Sequence, residues 1–468
     1  MKKDLPIQEH LFSEMQPGLF DKAHAYGLEY LSTVFDRRVF PDAAALANLD
    51  KFVEEMPGPS TPAEKVIDLL HRYGAPATVA TLGGRYFGFV TGSVVPASLA
   101  AKTLSSFWDQ VSAMQVMSPV TARLEAIVEK WLLALFKLPP STVAGFVSGS
   151  SMANFCGLAA ARFRILKSQG WDMAENGLYG APRIRVVTGK HAHSTILKAI
   201  SLVGLGKSNI EWVDVDGQGR IVPEAIPPLG ANTILILQAG NVNSGSFDDF
   251  HAICKKASTQ GAWVHIDGAF GLWAQASKKL SHLTQGIGFA HSWAVDAHKT
   301  LNTPYDSGVV LCADKEALVS SLHMSGGYII TGHEWDGMLY TPEMSRRARV
   351  IELWAALKAL GKSGLDEMIG GFHQRAVQFS EGLKKIDGFK ILNEVVFNQV
   401  LACCETDEIT DQTIAKVQEL GECWVGGTTW QGKKAIRISI CSWATTETDV
   451  GRAVKSFETA LKIVLNKK

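Results

Sequence analysis

Three short stretches of this 468-residue chain carry side chains whose types and spacing suit chemistry. The first is 147-VSGSSMANFCGLAAAR-162, where an apolar entry leads to Ser148, Gly149, Ser150 and Ser151 and a helical run begins at once. Small residues at such a turn leave backbone N–H groups free, and the positive end of the helix behind them suits a phosphate. Ser150 and Ser151 add hydroxyl donors, although serine is also an ordinary helix N-cap. No Gly-Lys-Ser follows, so this is not a Walker A loop, and the Gly-x-Gly-x-x-Gly spacing of a dinucleotide fingerprint is absent. The second stretch, 262-AWVHIDGAFGLW-273, puts Asp267 at the end of an apolar run and Gly268 and Ala269 after it. A carboxylate there suits a ligand donor and the small residues admit a flat ring; an aspartate that merely caps a turn reads the same way in isolation. The third, 292-SWAVDAHKTLNTPYDSG-308, closes an apolar run on His298 and Lys299. A lysine in a semi-enclosed site becomes a nucleophilic amine, whereas most lysines after strands are simply solvated.

The elements around these stretches are regular from about 180 to 300. Strand-like runs span Ile184 to Thr188, Ile210 to Val215, Thr233 to Gln238 and Ala262 to Asp267. Helical patterns separate them, from Ser194 to Leu205 with Gly206 as the C-cap, and from Phe250 to Ser258. Strands alternating with helices predict a mainly parallel sheet covered on both faces. Ligands in such sheets lie outside the carboxyl ends of the strands. The three stretches each follow a strand, so the fold gathers them. A phosphate cradle, an acid for a pyridinium nitrogen and a lysine able to form an imine are together the parts that pyridoxal phosphate requires.

Outside this region the pattern changes. Residues 1 to about 60 read as helices and loops closing in Pro57, Pro59 and Pro62. Arg346 to Leu360 is strongly helical, Ala435 to Cys441 reads as a strand, and Glu447 to Val464 as an amphipathic helix, with Gly361 to Gly364 near the early part of this last region. The organisation predicted is an N-terminal helical segment over 1–80, a large α/β domain over 81–340 and a smaller C-terminal α+β domain over 341–468. Lys plus Arg equals Asp plus Glu, 46 against 46, which gives no electrostatic footprint for nucleic acid or an anionic membrane. The densest apolar run, Trp131 to Phe136, falls far short of the roughly 20 residues of a membrane span. The polar start MKKDLPIQEH has no secretory pattern, and seven scattered cysteines without a Cys-x-x-Cys pair argue for reduced thiols and against a zinc site. A cytoplasmic protein without a metal is expected.

With these stretches the sequence resembles the group II pyridoxal-phosphate-dependent decarboxylases, the aromatic amino acid and glutamate decarboxylase family. HIDGAFG is similar to the family's His-Val-Asp-Ala-Ala-Tyr-Gly and DAHK to its Asp/Asn-Pro-His-Lys, and the likeness runs from about Arg85 in RYFGFVTGS to the C-terminal helix. The resemblance implies the fold type I architecture of pyridoxal-phosphate-dependent transferases, as in aspartate aminotransferase, and decarboxylation of an L-amino acid. It implies a Schiff base on Lys299, Asp267 on the pyridine nitrogen, Ala269 under one ring face and His193, in KHAHST, on the other. Ser150, Ser151, the N–H of Met152 and His298 match phosphate contacts. Tyr328, in 325-SGGYIITGHEWDGMLYTPEMSRRAR-349, matches a loop tyrosine that returns a proton to the substrate α-carbon. Arg437, in AIRISICSW, matches an arginine for the substrate α-carboxylate, with a structural salt bridge as the other reading.

Phe87 to Thr91 and Phe107 to Gln110 match segments that line the side-chain pocket; Phe87, Phe89, Phe107 and Trp108 favour an aromatic or apolar substrate or else belong to the core. The chain departs from the family where Gly240-Asn241-Val242-Asn243 replaces Gly-Thr-Thr, so that one asparagine stands in for a threonine, and where Thr300 replaces a common Trp. A homodimer with sites at the subunit interface is implied. Aminotransferases and carbon–carbon lyases share the fold and are the alternative reaction classes. A non-catalytic binding protein on the same scaffold is the third reading, against which the intact Lys299, Asp267 and phosphate turn weigh.

Overall fold

The computed structural model describes residues 6–322 and 335–466. Eleven strands form two sheets among the described residues: β1 (Val143–Val147), β2 (Arg185–Gly189), β3 (Ile210–Val213), β4 (Thr233–Gln238), β5 (Trp263–Asp267), β6 (Ser292–Asp296) and β7 (Gly308–Cys312) in the large one, and β8 (Lys390–Ile391), β9 (Gln399–Cys403), β10 (Gly426–Trp430) and β11 (Lys433–Ser439) in the small one. The large sheet runs β1-β7-β6-β5-β4-β2-β3. β2 to β6 are mutually parallel, and β7 alone runs against both its neighbours. The runs of β4, β5 and β6 are apolar without alternation because both faces are covered, and every residue in them is buried.

Alternate residues of those strands feed two cores. One face packs Ile234, Ile236, Trp263, Ala294 and Val310 against α7 (Ser150–Ser168), α9 (Ser194–Leu202) and α11 (Lys315–Leu322). The other packs Leu235, Leu237, Val264, Ile266 and Trp293 against α6 (Pro119–Phe136), α10 (Phe250–Thr259) and the first half of α12 (Val350–Lys384). The remaining helices are α1 (Ile7–Glu14), α2 (Pro17–Thr33), α3 (Ala43–Ala47), α4 (Ala63–Leu69), α5 (Pro96–Trp108), α8 (Met173–Asn176), α13 (Asp407–Leu420) and α14 (Glu447–Leu465). The small antiparallel sheet has its own core, in which Phe372 and Phe379 of α12 meet Val400, Ile436, Ile438 and Phe457. α12 therefore belongs to both cores. Gly361 breaks its geometry at φ 58, ψ −174, and the helix then resumes instead of ending in a linker.

Some boundaries differ from the sequence reading for identifiable reasons. α9 stops at Leu202, not Leu205, because Gly204 takes φ 78 and the chain turns there. β3 stops at Val213, since Val215 bridges back to Ile221. α12 starts at Val350 because Arg346 and Arg349 are drawn to the Phe146 carbonyl at the end of β1. All seven cysteines are buried and unpaired.

β7 matters for the site. Its first residue, Gly308, stands opposite Val147 of β1 and Asp296 of β6. A Cβ on Gly308 would lie 2.5 Å from the Gly149 Cα, so only glycine lets the ends of β1 and β6 approach across the intervening strand.

Candidate active site

The ends of β1, β4, β5 and β6 share one rim of the large sheet. The pairing of Gln238 with Asp267, and of Asp267 with Ala294, fixes how far each projects. Over this rim lies a cavity of about 210 Å³ lined by Phe89, Val90, Ser150, His193, Gln238, Gly240, Val242, Asp267, Ala269, Phe270, Lys299 and Arg437. The stretches beginning at Val147, Ala262 and Ser292 all contribute to it.

Asp267 is buried, and the only hydrogen bond to its carboxylate among the described residues comes from the Ala269 N–H at 3.2 Å. Burial pushes its carboxyl up, against the opposing pull of His193 and Lys299. A buried carboxylate with one long backbone donor has acceptor capacity left for a cationic N–H. His193 is the N-cap of α9. Its Nδ1 accepts the Thr195 N–H at 3.3 Å, which leaves the ring proton on Nε2, and burial holds the imidazole below its usual pKa and neutral.

Lys299 lies three residues beyond β6 in the β6–β7 connection. Its Nζ is 2.9 Å from Asp296 Oδ2. Burial acts to lower the lysine pKa, but the Asp296 carboxylate, with smaller contributions from Asp267 and Cys441, outweighs it and holds the ammonium above its ordinary range. Gly92 gives the backbone room here, since a Cβ on it would lie 2.1 Å from the Lys299 carbonyl oxygen. His298 Nδ1 accepts the Ser307 N–H at 3.1 Å, its Nε2 lies 3.7 Å from Asp296 Oδ2, and its ring packs on Tyr305 with centroids 4.4 Å apart.

At the start of α7 the donors divide. Ser150 gives its N–H and hydroxyl to Asp296 at 2.5 and 2.8 Å, and Met152 gives its N–H to the Gly149 carbonyl at 3.0 Å. Ser151, exposed in the first turn, keeps its donors free of hydrogen bonds among the described residues. Arg437 projects from β11, stands 5.9 Å over the Phe89 ring, and has a buried Nε without a partner. It forms no salt bridge among the described residues, and burial lowers its pKa.

Other sequence-predicted residues lie elsewhere. Phe87 is in the small-sheet core, 5.3 Å from the Phe379 ring, so it does not line this cavity. Phe107 and Trp108 are exposed at the end of α5, with Phe107 on Phe20. Asn241 accepts from the Asn243 and Ser244 N–H groups and Asn243 accepts from Thr428, while Val242 faces the cavity. Thr300 donates to the Phe270 carbonyl at 2.7 Å. Tyr328 lies outside the described residues.

Three residues escaped the sequence reading. Asp296 and Gln238 are the polar ends of apolar strands, the same signal that exposed Asp267. Asn302 has φ 57; its amide donates to the carbonyls of Lys299 and Cys441, each at 2.8 Å, and it accepts from the Trp443 N–H at 2.9 Å. A single side chain thus ties the lysine loop to the chain leaving β11.

Residues 79–403 match the model of the pyridoxal-dependent decarboxylase conserved domain. The chain belongs to the pyridoxal-dependent decarboxylase family, and the cofactor is pyridoxal 5'-phosphate. Similar curated proteins are the acidic amino acid decarboxylase of Mus musculus, 28% identical over 69% of this chain and 60% of that protein, and the cysteine sulfinic acid decarboxylase of Homo sapiens, 28% identical over 69% and 67%. The matched region is thus about 60% of the length of the first of these relatives. Among solved structures, mouse CSAD in apo form superposes with a TM-score of 0.85 at 22% identity, covering 95% of this chain and 98% of that one. Catharanthus roseus tryptophan decarboxylase in complex with L-tryptophan gives 0.84 at 19%, covering 99% and 100%. These likenesses establish the fold type I architecture. Among the described residues no helix is long and apolar enough to cross a membrane.

Proposed function

We propose that this protein is a pyridoxal-phosphate-dependent amino acid decarboxylase that carries its cofactor on Lys299. The observation behind this reading is the convergence of Lys299, Asp267, His193 and Arg437 on one cavity in a chain of this family. The half-satisfied Asp267 carboxylate and the small residue Ala269 fit a flat heteroaromatic ring with a protonated nitrogen. Bound there, the cofactor supplies an electron sink for the pair left on the substrate α-carbon.

The chain's own groups do the rest. Lys299 Nζ is the covalent attachment point. Asp267 stabilises the cationic ring nitrogen, and its raised pKa relaxes once that charge is beside it. Neutral His193 would pack over the ring, and Ser151 and His298 would hold the phosphate end, joined by Ser150 and the N–H of Met152 if these turn from Asp296 and the Gly149 carbonyl. Arg437 receives the substrate α-carboxylate by a two-pronged contact, for which its unpartnered Nε is available. Tyr328 enters from the family resemblance alone, as the proton donor to the α-carbon.

For the side chain we favour an aromatic or apolar substrate. Phe89, Val90, Val242 and Phe270 form the wall, and beyond Lys299 the lining has one permanent cation, Arg437, which the α-carboxylate takes. The relatives named for acidic amino acids make the contrast testable. We also propose a homodimer. None of the seven helical segments between Ile7 and Ala77 buries a residue, and Ile7, Leu11, Phe12, Met15, Val53 and Met56 are exposed. Apolar surface of that extent needs a cover, and a second copy supplies it.

The test compares wild type with Lys299→Ala for borohydride-reducible cofactor adduct, then measures carbon dioxide release over a panel of amino acids. Adduct on Lys299 and release from tryptophan, tyrosine or phenylalanine are expected. Release from aspartate or cysteine sulfinate alone overturns the side-chain reading, and absence of adduct in wild type overturns the whole. Tyr328→Phe should lower carbon dioxide release while cofactor loading stays intact. Light scattering should report twice the chain mass.

A further inference from the structure

Asp296 is the last residue of β6, and the chain turns so that its carboxylate meets the side chain three residues on. It is 1% exposed. Its oxygens receive the Ser150 N–H at 2.5 Å, the Ser150 hydroxyl at 2.8 Å and the Lys299 ammonium at 2.9 Å, with His298 Nε2 at 3.7 Å. A buried carboxylate survives as an anion only when so supplied with donors. The positive end of α7 adds to the same effect.

We propose that Asp296 is a positioning residue that holds the Lys299 ammonium whenever that amine is not bonded to the cofactor, and so sets the pH at which the amine becomes free to react. This rests on the reading of Lys299 as the attachment point. The groups facing Lys299 are Asp296 from β6, Asp267 from β5, His193 from the cap of α9, His298 from its own loop and Cys441 beyond β11, with Arg437 of β11 in the same cavity. Of the two carboxylates, only Asp296 is in contact. Burial alone would release the proton, and Asp296, with smaller help from Asp267 and Cys441, reverses that.

The chemical consequence follows from the lone pair. Lys299 must first give one proton to solvent. The amine pair then forms the C–N bond to the aldehyde carbon, the carbonyl pair moves to oxygen, and that oxygen leaves as water with the two remaining amine hydrogens, giving C=N. Attachment therefore follows the neutral fraction of Lys299, which Asp296 keeps small. A lysine amine displaced by a substrate amine would take up one proton from solvent, rest as ammonium beside the same carboxylate and compete less for re-attachment.

The test measures covalent attachment of pyridoxal phosphate to cofactor-stripped enzyme, trapped by borohydride and mapped by mass spectrometry, from about pH 6 to about pH 10. In wild type the rate should still be rising near the upper limit. Asp296→Asn keeps an acceptor for the Ser150 N–H but loses the charge, and its midpoint should fall by at least about one pH unit, with roughly tenfold faster attachment near neutrality. Asp296→Glu should keep a high midpoint. An unchanged midpoint in Asp296→Asn, or a wild-type midpoint below the ordinary lysine value of about 10.4, overturns the proposal; the second needs no variant to fold. An adduct that persists in Lys299→Ala overturns the attachment reading instead, so the two failures are separable.

Discussion

Arg346→Met tests how the rim of the site is supported. Arg346 Nη2 pairs with Glu125 Oε2 at 2.8 Å, and both side chains are 1% exposed. Arg346 Nη1 donates to the Phe146 carbonyl at 2.9 Å, next to the end of β1. Glu125 also accepts from Trp335 Nε1 and Ser112 Oγ, each at 2.7 Å. Methionine fills the stem's volume but strands a buried carboxylate among neutral donors. Breaking one half of such a pair costs about 3–5 kcal/mol. Urea unfolding followed by tryptophan fluorescence should show the midpoint falling by that amount with little change in slope. Adding Glu125→Gln removes the stranded charge, so Arg346→Met/Glu125→Gln should recover part of the loss. Cofactor should also be retained less well in the single variant, because the Phe146 carbonyl loses its main side-chain donor ahead of the Ser148–Ser151 turn. A loss below about 1 kcal/mol, or a double variant weaker than the single, would refute the argument.

Other outcomes follow from the buried polar residues. His265 donates from Nε2 to Asn154 at 2.8 Å and accepts from Ser292 at Nδ1, and burial lowers its pKa to about 3. The unfolded chain therefore binds the extra proton first, and stability should fall as pH drops from about 6.5 toward about 3, by at most about 5 kcal/mol. His265→Gln should flatten that part of the pH–stability curve; equal slopes would count against it. Gly157→Ala puts a Cβ 2.6 Å from His265 Cε1, and overpacking of about 1–3 kcal/mol should appear in the same unfolding assay. Thr446→Ala removes the capping box at the start of α14 and should cost about 1 kcal/mol without touching cofactor loading.

The fold was legible where residue pattern and burial coincide. The Thr233–Gln238 run is a strand with the bounds read from its composition, because a continuous apolar stretch of that length has few other uses in a sheet covered on both faces. The site was legible because strand ends concentrate polar residues that apolar neighbours make conspicuous. Strand direction was harder. Gly308–Cys312 is as apolar as the parallel strands of the same sheet. Only the connection over residues 297–307, too short for a helical crossover, betrays that β7 returns antiparallel. Phe87 and Phe89 look alike in sequence, yet one enters the small-sheet core and the other the cavity, a division set by tertiary packing. Asn302 gave no signal, since its importance lies in which carbonyls come to it.

The antiparallel β7 also bears on the order of assembly. β6 and β7 form a hairpin from neighbouring sequence, so the Lys299 loop closes early and at small entropic cost. β1 joins the far side of β7 only after the chain has looped back from Val147 to Gly308. Non-local pairings of that kind come late in folding. The Ser150 end and the Lys299 end of the cavity therefore meet only in a nearly finished molecule. Capture of the cofactor during synthesis would thus report completion of the large sheet, and newly made chains stalled before that step should neither bind it nor be rescued by its excess.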